Sequence, residues 1–278
     1  MKTHLYKTFE GEGFILSHKI SEDNGPENYP IHIHNNWELV FFLKGNVSYR
    51  VEGRSYNLRR GDLVLSRPSV FHSIHPEDES AYERYTVIFD KELLPKDVES
   101  RLPAGVDVFA FGDKGRIFEI FERCELYISS FEKATAERLV CHLIEEIFCN
   151  LAISDDFARE DGGVNPLVGK ALDYIHENLT TVKSIDEVCR ALYITKSHLH
   201  HIFIENIRVS PKKYINSKRL ILARQLIRQG TKPTEAAAAA GFEEYATFYR
   251  NYKKQFGCTP SERGELETTA LEEVSYDT

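Results

Sequence analysis

The stretch TKSHLHHIF at residues 195–203 decides the fold, and its plan recurs as GFEEYATFYR at residues 241–250. In the first copy, Leu199, Ile202 and Phe203 recur at helical spacing, while polar residues occupy the opposite face. Each copy follows a short helical segment and a turn, which predicts two helix-turn-helix units. Two such reading helices in one polypeptide can enter successive major grooves. The sequence therefore predicts a DNA-binding regulator ahead of an enzyme.

The outward faces of the two reading helices carry groups suited to base edges and phosphates. In the first copy the outward residues are Ser197, His200 and His201, and in the second they include Tyr245, Thr247, Tyr249 and Arg250. Arg250 is the strongest single candidate, because a guanidinium can donate two hydrogen bonds to guanine. The expected phosphate contacts, which anchor without reading sequence, are Lys212, Lys213, Lys253 and Lys254.

Composition places this reading module on a larger body of opposite charge. The chain has 278 residues, enough for two domains with separate cores. Residues 165–264 hold 16 Lys and Arg against 9 Asp and Glu, whereas the whole chain has a net charge of −8. This asymmetry favours a polyanionic partner for the basic module. The absence of a signal-peptide pattern and of any apolar run near ~20 residues predicts a cytoplasmic protein without a membrane partner.

Residues 1–110 show short apolar or alternating segments separated by turns, a pattern typical of a β-barrel or sandwich. From about residue 115 the apolar period becomes helical and predicts two amphipathic helices near 116–130 and 133–152. We assign residues 111–153 to this helical pair. The acidic, glycine-containing residues 154–165 form the predicted linker, residues 166–264 the helical reading domain, and residues 265–278 an acidic tail.

Residues 184–262 resemble the DNA-binding domain of the AraC/XylS family of bacterial transcription regulators. The resemblance rests on AGF at 240–242, FYRNYKK at 248–254, FG at 256–257, and Pro260. It implies that Ser197, His200 and His201 meet bases in the first unit, and that Tyr245, Ala246, Tyr249 and Arg250 do so in the second. It further implies activation through contact with RNA polymerase, although the residues themselves do not decide activation over repression.

Three positions depart from the pattern of this family. Tyr193 and Arg208 stand where glycine is usual, and Ala236 stands where a larger aliphatic residue is usual. These changes predict looser packing of the units but leave their apolar stripes intact.

The segment HIHNNWE at residues 32–38, followed by a glycine at Gly45 and by His72 downstream, resembles the metal-binding pattern of a cupin barrel. In cupins that bind metal, the matching positions supply three imidazoles and a carboxylate. On a strand, His32 and His34 would share one face, and Glu38 would reach the same face. The predicted metal ligands are therefore His32, His34, Glu38 and His72, and they suit Zn, Ni, Fe or Mn.

Other interpretations of this segment stay open. His34, Glu38 and His72, with Trp37 beside them, could bind a small effector directly, such as a sugar or an organic acid. They could also satisfy a buried polar network without any ligand. Trp37, the only tryptophan of the chain, is more typical of a core residue.

The sequence as a whole predicts an α+β multidomain protein. A cupin-like sensor barrel with a helical pair precedes an all-α double helix-turn-helix domain. The expected partners are promoter DNA, a small-molecule effector and RNA polymerase. The helical pair either forms a homodimer interface or simply covers the barrel. Two competing classes are a metal-dependent cupin enzyme with a DNA-binding tail, suggested by the histidine and glutamate set, and a purely structural module.

Overall fold

The computed structural model describes residues 3–22, 25, 28–112, 115–158, 160–161 and 164–262. Its first part is built from antiparallel strands in two sheets. One sheet has the order β1-β2-β8-β3-β6-β9 and the other the order β5-β4-β7. The strands are β1 (Thr3–Gly11), β2 (Phe14–Ser21), β3 (Trp37–Lys44), β4 (Val47–Val51), β5 (Arg54–Asn57), β6 (Asp62–Ser66), β7 (His72–Pro76), β8 (Tyr82–Phe89) and β9 (Val108–Ala110). The predicted acidic tail at 265–278 lies outside the described residues.

Strand β3 is buried on both faces, which explains why it has no polar alternation in the sequence. Leu39, Phe41 and Leu43 belong to a core on one side of the large sheet. Val40 and Phe42 belong to a second core, together with residues of the small sheet. Because alternate side chains point to opposite faces, the even-numbered residues of β3, including Glu38, face the interior between the two sheets.

Two long helices cover the outer face of the large sheet. After a short α1 (Lys96–Glu99), the helices are α2 (Arg116–Ser130) and α3 (Lys133–Ile153), close to the predicted bounds. Their buried stripes, which include Phe121 and Phe148, join the core on that face. The pair therefore covers the barrel, and whether it also joins two copies of the chain stays a prediction.

Within the predicted linker at 154–165, the described residues 156–158 and 161 make backbone contacts with the barrel. Ala110 N donates to Asp156 O at 2.8 Å, and Ala158 N donates to Val108 O at 3.0 Å. Further along, Asp161 N donates to Ser55 O at 2.7 Å. The backbone of this acidic segment thus extends the edge of the large sheet beyond β9, which the composition of the segment did not indicate.

The remainder of the described chain is helical. Its helices are α4 (Pro166–Glu177), α5 (Ile185–Leu192), α6 (Lys196–Ile207), α7 (Pro211–Arg228), α8 (Pro233–Ala239) and α9 (Tyr245–Phe256). We call α5–α6 unit 1 and α8–α9 unit 2; α7 links them. Ser210 caps α7 by accepting a hydrogen bond from Lys213 N, and Pro211 occupies the first helical turn, as its sequence predicts.

The two units rest on different cores. Unit 1, α4 and much of α7 form one core that also contains Ile33 and Phe71 from the barrel. Unit 2 packs with the later part of α7 on a smaller core, in which Phe248 and Tyr252 are the large side chains. The reading domain is therefore attached to the barrel through unit 1 and α7. Among the described residues, no helix has the length and apolar character needed to cross a membrane.

Candidate functional sites

The reading helix of unit 1 buries one stripe and exposes the other, as predicted. Leu199, Ile202 and Phe203 are buried, whereas Ser197 and His200 are exposed. Thr195 caps the start of α6 by accepting a hydrogen bond from His198 N at 3.2 Å. The ring of His201 also projects outward, with 74% of its side chain exposed. The first two turns of α6 thus present short polar and imidazole groups on a fixed scaffold.

Unit 2 repeats this arrangement with larger outward groups. Phe248 and Tyr252 dock α9 on its core, and the exposed residues of its first turns follow one another along the opposite side. The outward set contains Tyr245, Ala246, Tyr249 and Arg250, with Thr247 half-buried. Tyr245 and Tyr249 lie one helical turn apart, with ring centroids 6.3 Å apart. Thr247 Oγ1 donates to Glu244 at 3.2 Å, so its hydroxyl is partly engaged locally.

The four lysines predicted to contact phosphate lie at the start of α7 and the end of α9. Lys212, Lys253 and Lys254 are exposed, and Lys213 is half-buried. Burial lowers the pKa of Lys213, and the nearby charge of Lys254 lowers it further. The structure therefore brings lysines from α7 and α9 into electrostatic reach of each other, which concentrates positive charge along one edge of the domain.

The turns of the two units differ at one position. Tyr193 follows α5 with φ 57° and ψ 41°, and Gly241 follows α8 with φ 89°. Arg208, which ends α6, also has a positive φ of 61°. Tyr193 and Arg208 therefore adopt the backbone conformation that glycine favours, so the departures from the family pattern keep the geometry at a cost in strain. Ala236 is fully buried in the core of unit 2.

Inside the barrel, three imidazoles converge on one carboxylate. Glu38 Oε2 lies 2.9 Å from His72 Nε2, 3.1 Å from His34 Nε2 and 3.8 Å from His32 Nε2. We call these four residues the His–Glu cluster. One ligand atom from each lies within 4.8 Å of the others. The sequence predicted this convergence but gave the wrong local reason, because residues 33–36 form no strand and His32 only bridges to His72.

The other ring nitrogen of each histidine is held by a backbone carbonyl. His32 Nδ1 lies 3.0 Å from Pro30 O, His34 Nδ1 3.0 Å from Asn36 O, and His72 Nδ1 2.9 Å from Val70 O. A carbonyl only accepts, so each Nδ1 donates its proton there, and a ring without a second proton has an Nε2 lone pair to offer a cation at the cluster. Hydrogen bonds of this kind, from the remote ring nitrogen to a carbonyl, orient histidines that bind metals.

The charge state of the cluster agrees with that orientation. Burial and the neighbouring His32 lower the pKa of His72 to about 4. Burial opposes ionisation of Glu38, but the surrounding His32, His34 and His72 outweigh it and hold the pKa of this carboxyl well below its usual range. The cluster therefore gathers three imidazoles around an ionised carboxylate, and residues of these types fit a divalent transition metal.

Two further polar side chains, which the sequence did not single out, border the cluster. Ser66 pairs with Glu38 across β3 and β6, and its hydroxyl lies 3.0 Å from Tyr49 Oη. The Tyr49 ring lies 6.1 Å from that of His72, and burial raises its pKa well above the ordinary value, so the phenol stays protonated. The register of β3 with β6 is what places Ser66 beside Glu38, and no local sequence pattern reveals that register.

Trp37 is not brought to the cluster. It lies on the opposite face of β3, in the outer core, with its ring 5.7 Å from Phe148 of α3. Alternation along the strand explains this placement, since Glu38 faces inward and its neighbour must face outward. By contrast, the side-chain amide of Asn36 is buried without a hydrogen-bond partner among the described residues.

A cleft of about 360 Å³ lies apart from the cluster, where the barrel meets unit 1. Its lining includes Arg50, Glu52 and His75 from the barrel and Arg208 from the end of α6. This cleft therefore lies at the seam of the two domains, whereas His34, Glu38 and His72 are buried.

Comparisons with known proteins find matches for both the sensor domain and the reading domain. The family model of an AraC-like ligand binding domain matches residues 20–124, and that of a helix-turn-helix domain matches residues 188–263. The lactose operon transcription activator of Staphylococcus xylosus is 24% identical over 81% of this chain and 82% of its own length. The transcriptional activator RhaS of Escherichia fergusonii is 21% identical over 84% of this chain and 87% of its own length.

Among solved structures, ToxT from Vibrio cholerae is 13% identical, with a TM-score of 0.38, over 90% of this chain and 96% of that one. The order of a ligand-binding domain and a helix-turn-helix domain, matched separately, agrees with the architecture seen here. The chain belongs to the AraC family of DNA-binding transcription regulators.

Proposed function

We propose that the chain activates transcription from a promoter that it reads with both units, under the control of an effector bound in the barrel. The observation that carries this proposal is the contrast in exposure between two sets of polar groups. Ser197, His200 and Arg250 project from docked helices into solvent, whereas the His–Glu cluster is buried in the sensor domain. The first set suits a large partner and the second a small one.

The DNA-binding part of the proposal is tested by selecting duplexes from a random-sequence pool with the full chain. We expect two preferred segments about one DNA turn apart, ~34 Å, because each unit addresses one major-groove segment. Affinity should fall steeply with salt, because phosphate contacts release counterions. A pool without enrichment, or a flat dependence on salt, would contradict the proposal.

A matched pair of variants tests the phosphate contacts in that assay. Lys254→Gln removes an exposed lysine at the end of α9, and Lys170→Gln removes an exposed lysine on α4. The first should reduce the salt slope by about 1 and weaken all duplexes alike. The second should leave the slope unchanged, and equal slopes in both variants would remove Lys254 from the contact set.

We propose further that the His–Glu cluster holds a divalent transition ion, with His32, His34, Glu38 and His72 as ligands. Three Nε2 lone pairs and a carboxylate meet at one point, and the Nε2 atom of His32 is buried without a hydrogen-bond partner among the described residues. Such a concentration of acceptors is stabilised by a cation at its centre. The ion would offer an electrophilic point to which a hydroxyl or carboxylate of the effector could bind.

Elemental analysis of protein purified without chelators tests the metal. We expect about one ion per chain, absent after the combined substitutions His34→Ala and Glu38→Ala, because two of four ligands are lost. The control is His75→Ala, a histidine of β7 outside the cluster, which should retain the ion. Metal-free wild-type protein would instead leave the cluster as a direct binding site for the effector.

The effector that we propose is a sugar or a small organic acid. Its polar groups would meet the cluster, Ser66 and the hydroxyl of Tyr49, which together provide acceptors and donors in a mostly apolar interior. The relative named for a lactose operon supports the sugar among these alternatives. A calorimetric screen of monosaccharides, disaccharides and hydroxy acids tests this class, and binding that survives Glu38→Ala would place the effector elsewhere.

We also propose that α2 and α3 contribute to a homodimer, and that the bound regulator contacts RNA polymerase in the cytoplasm. Leu126 and Phe131, near the end of α2, leave 57% and 49% of their surfaces exposed, and Ile153, at the end of α3, leaves 70% exposed. The helix pair thus has exposed apolar side chains that a second copy could cover. Sedimentation of wild-type and Leu126→Glu protein tests the dimer, which the charged variant should weaken.

A further inference from the structure

One lysine of the reading domain is inserted into the sensor barrel. Lys218 lies in the middle of α7, and only 7% of its side chain is exposed. Its Nζ lies 2.6 Å from Glu52 Oε1 and also donates to Ser69 O. Tyr214, one turn earlier, donates to the same Glu52 oxygen at 2.8 Å and accepts from His176 at 2.8 Å. The helix that joins the two units is thus tied to the barrel by charged, buried contacts.

The acceptors of Lys218 are strained positions of the barrel backbone. Among the described residues, the non-glycine residues with positive φ are Glu52 at 42°, Ser69 at 65°, Tyr193 and Arg208. The two that belong to the sensor domain are therefore the two that meet Lys218. Backbone strain of this kind persists only where surrounding contacts enforce it, and it concentrates at binding and switch regions. Glu52 and Gly53 also form the two-residue turn between β4 and β5, where positive φ is usual. The Lys218 contact therefore adds to the constraints that hold these two segments.

The same segments carry the His–Glu cluster. Ser69 N donates to His34 O at 2.8 Å, and the backbones of His32 and His72 exchange two hydrogen bonds of 3.0 Å. Phe71, next to His72, packs on Tyr214 with ring centroids 5.2 Å apart. From the other side, Gln225 of α7 donates to Asn35, the neighbour of His34. A movement of the cluster therefore changes the positions of the residues that α7 touches.

We propose that Lys218, with Glu52 and Ser69, is a latch that holds the reading domain in a low-affinity arrangement and opens when a ligand at the His–Glu cluster moves residues 69–72. The proposal rests on the proposed function. The outward faces of α6 and α9 stay exposed in the latched form. The latch therefore changes how the two units are arranged and does not block their access to DNA. Unit 1 and α7 share a core with the barrel, whereas unit 2 rests on its own core. Opening the latch frees the two reading helices to adopt the spacing of successive grooves.

The test compares full-length wild type with the double variant Glu52→Gln and Lys218→Met. The double variant is chosen because Lys218→Met alone would leave a buried carboxylate without its cation, which endangers folding. The control is Lys170→Met, which removes an exposed lysine on α4. Each protein is measured without effector, by affinity for a duplex enriched with wild-type protein and by hydrogen–deuterium exchange.

We expect the double variant to bind the duplex at least about 5-fold more tightly than wild type, the lower end of usual allosteric couplings. Exchange should rise in α7 and also at residues 32–36 and 69–72, while the control matches wild type in both measurements. Equal or weaker DNA binding by a folded double variant overturns the latch, as does a rise in exchange confined to α7. Failure of wild type and control alike to enrich any duplex removes the proposed function itself, a different result.

Discussion

Unit 1 and unit 2 share one plan, since α6 and α9 each have 12 residues and each follows a short helix and a left-handed turn residue. They differ in the hydrophobic cores on which they pack. Unit 1 shares a core with α4, α7 and the barrel residues Ile33 and Phe71. The buried part of the unit 2 core consists of seven residues, four of them alanines, so Phe248 and Tyr252 supply most of its volume. A duplicated motif can therefore divide its tasks, with one copy connected to the sensor and the other standing more independently.

The exposed side chains of the two reading helices also differ. Unit 1 presents Ser197, His200 and His201, whereas unit 2 presents two tyrosines and Arg250. A guanidinium can distinguish guanine by two hydrogen bonds, while hydroxyl and imidazole groups adapt to more than one base edge. We therefore expect unit 2 to read its half-site more strictly, and unit 1 to respond more to the state of the sensor.

The largest effect is expected from removing the main side chain of the smaller core. Phe248→Ala should destabilise unit 2 by about 3–5 kcal/mol, because so small a core offers little material to fill the cavity. Hydrogen exchange should rise in α8 and α9 while the barrel and unit 1 keep their protection. The control is Tyr249→Ala, which changes the next, exposed residue. An equal loss of protection in α6 would show that the two units unfold together.

The turn of unit 2 provides the next test. Gly241 has φ 89°, and a Cβ at this position would lie 2.5 Å from Thr180 O in the loop before unit 1. Gly241→Ala should therefore cost about 2–3 kcal/mol, combining backbone strain with a contact to an atom that belongs to the main chain. Thermal unfolding measures this cost. Gly230→Ala, with a similar φ of 97° and open space at its Cβ, isolates the strain from the contact.

Much of the exposed surface of the two reading helices could be predicted, because the spacing of apolar residues along a helix identifies its buried face. Leu199, Ile202 and Phe203 have a spacing that leaves little choice, and the residues between them must face outward. The inner position of Glu38 follows from the same kind of regularity in β3, and alternation also places Trp37 on the other side. The prediction of a shared role for Trp37 and Glu38 ignored that alternation.

The rest depends on packing that no local pattern encodes. The hydrogen bond from Tyr214 to Glu52 joins residues 162 positions apart, and nothing near Lys218 distinguishes it from a solvated lysine on a helix. The path of the described residues within 154–165 also has a tertiary cause. The acidic composition of this segment suggested free chain, but its backbone groups pair with the exposed edge of the large sheet.

The contrast in base reading is tested by substitutions on the two reading helices. Arg250→Ala should relax preference at one base pair of the unit 2 half-site by about 1–3 kcal/mol, because a bidentate contact is lost. His200→Ala should produce a smaller loss that is spread over several bases. Affinities for duplexes with single base-pair changes measure both effects. An unchanged preference in the Arg250 variant, or a sharper loss in the His200 variant, would reverse the assignment of the stricter unit.

The smallest effect is expected at the turn of unit 1, where Tyr193 and not glycine adopts the left-handed backbone conformation. Tyr193 has φ 57° and is 95% exposed, so its ring gains no burial that would offset the left-handed backbone. Such a conformation costs a non-glycine residue about 1–2 kcal/mol, and glycine loses about 0.5–1 kcal/mol of this advantage through unfolded-state entropy. Tyr193→Gly should therefore stabilise the domain by roughly 0.5–1 kcal/mol in chemical unfolding.

Tyr193→Ala separates the backbone from the ring. It keeps a Cβ in the left-handed conformation and removes the phenol, so it should leave the free energy of unfolding close to that of wild type. A gain as large as that of Tyr193→Gly would mean that the exposed ring, and not the backbone, destabilises the turn. If both variants lose DNA affinity while Tyr193→Gly is more stable, the strain is maintained because the phenol contacts the duplex beside the first reading helix. The two turns would then differ for a functional reason, with a compact glycine where unit 2 meets Thr180 and a projecting tyrosine where unit 1 meets DNA.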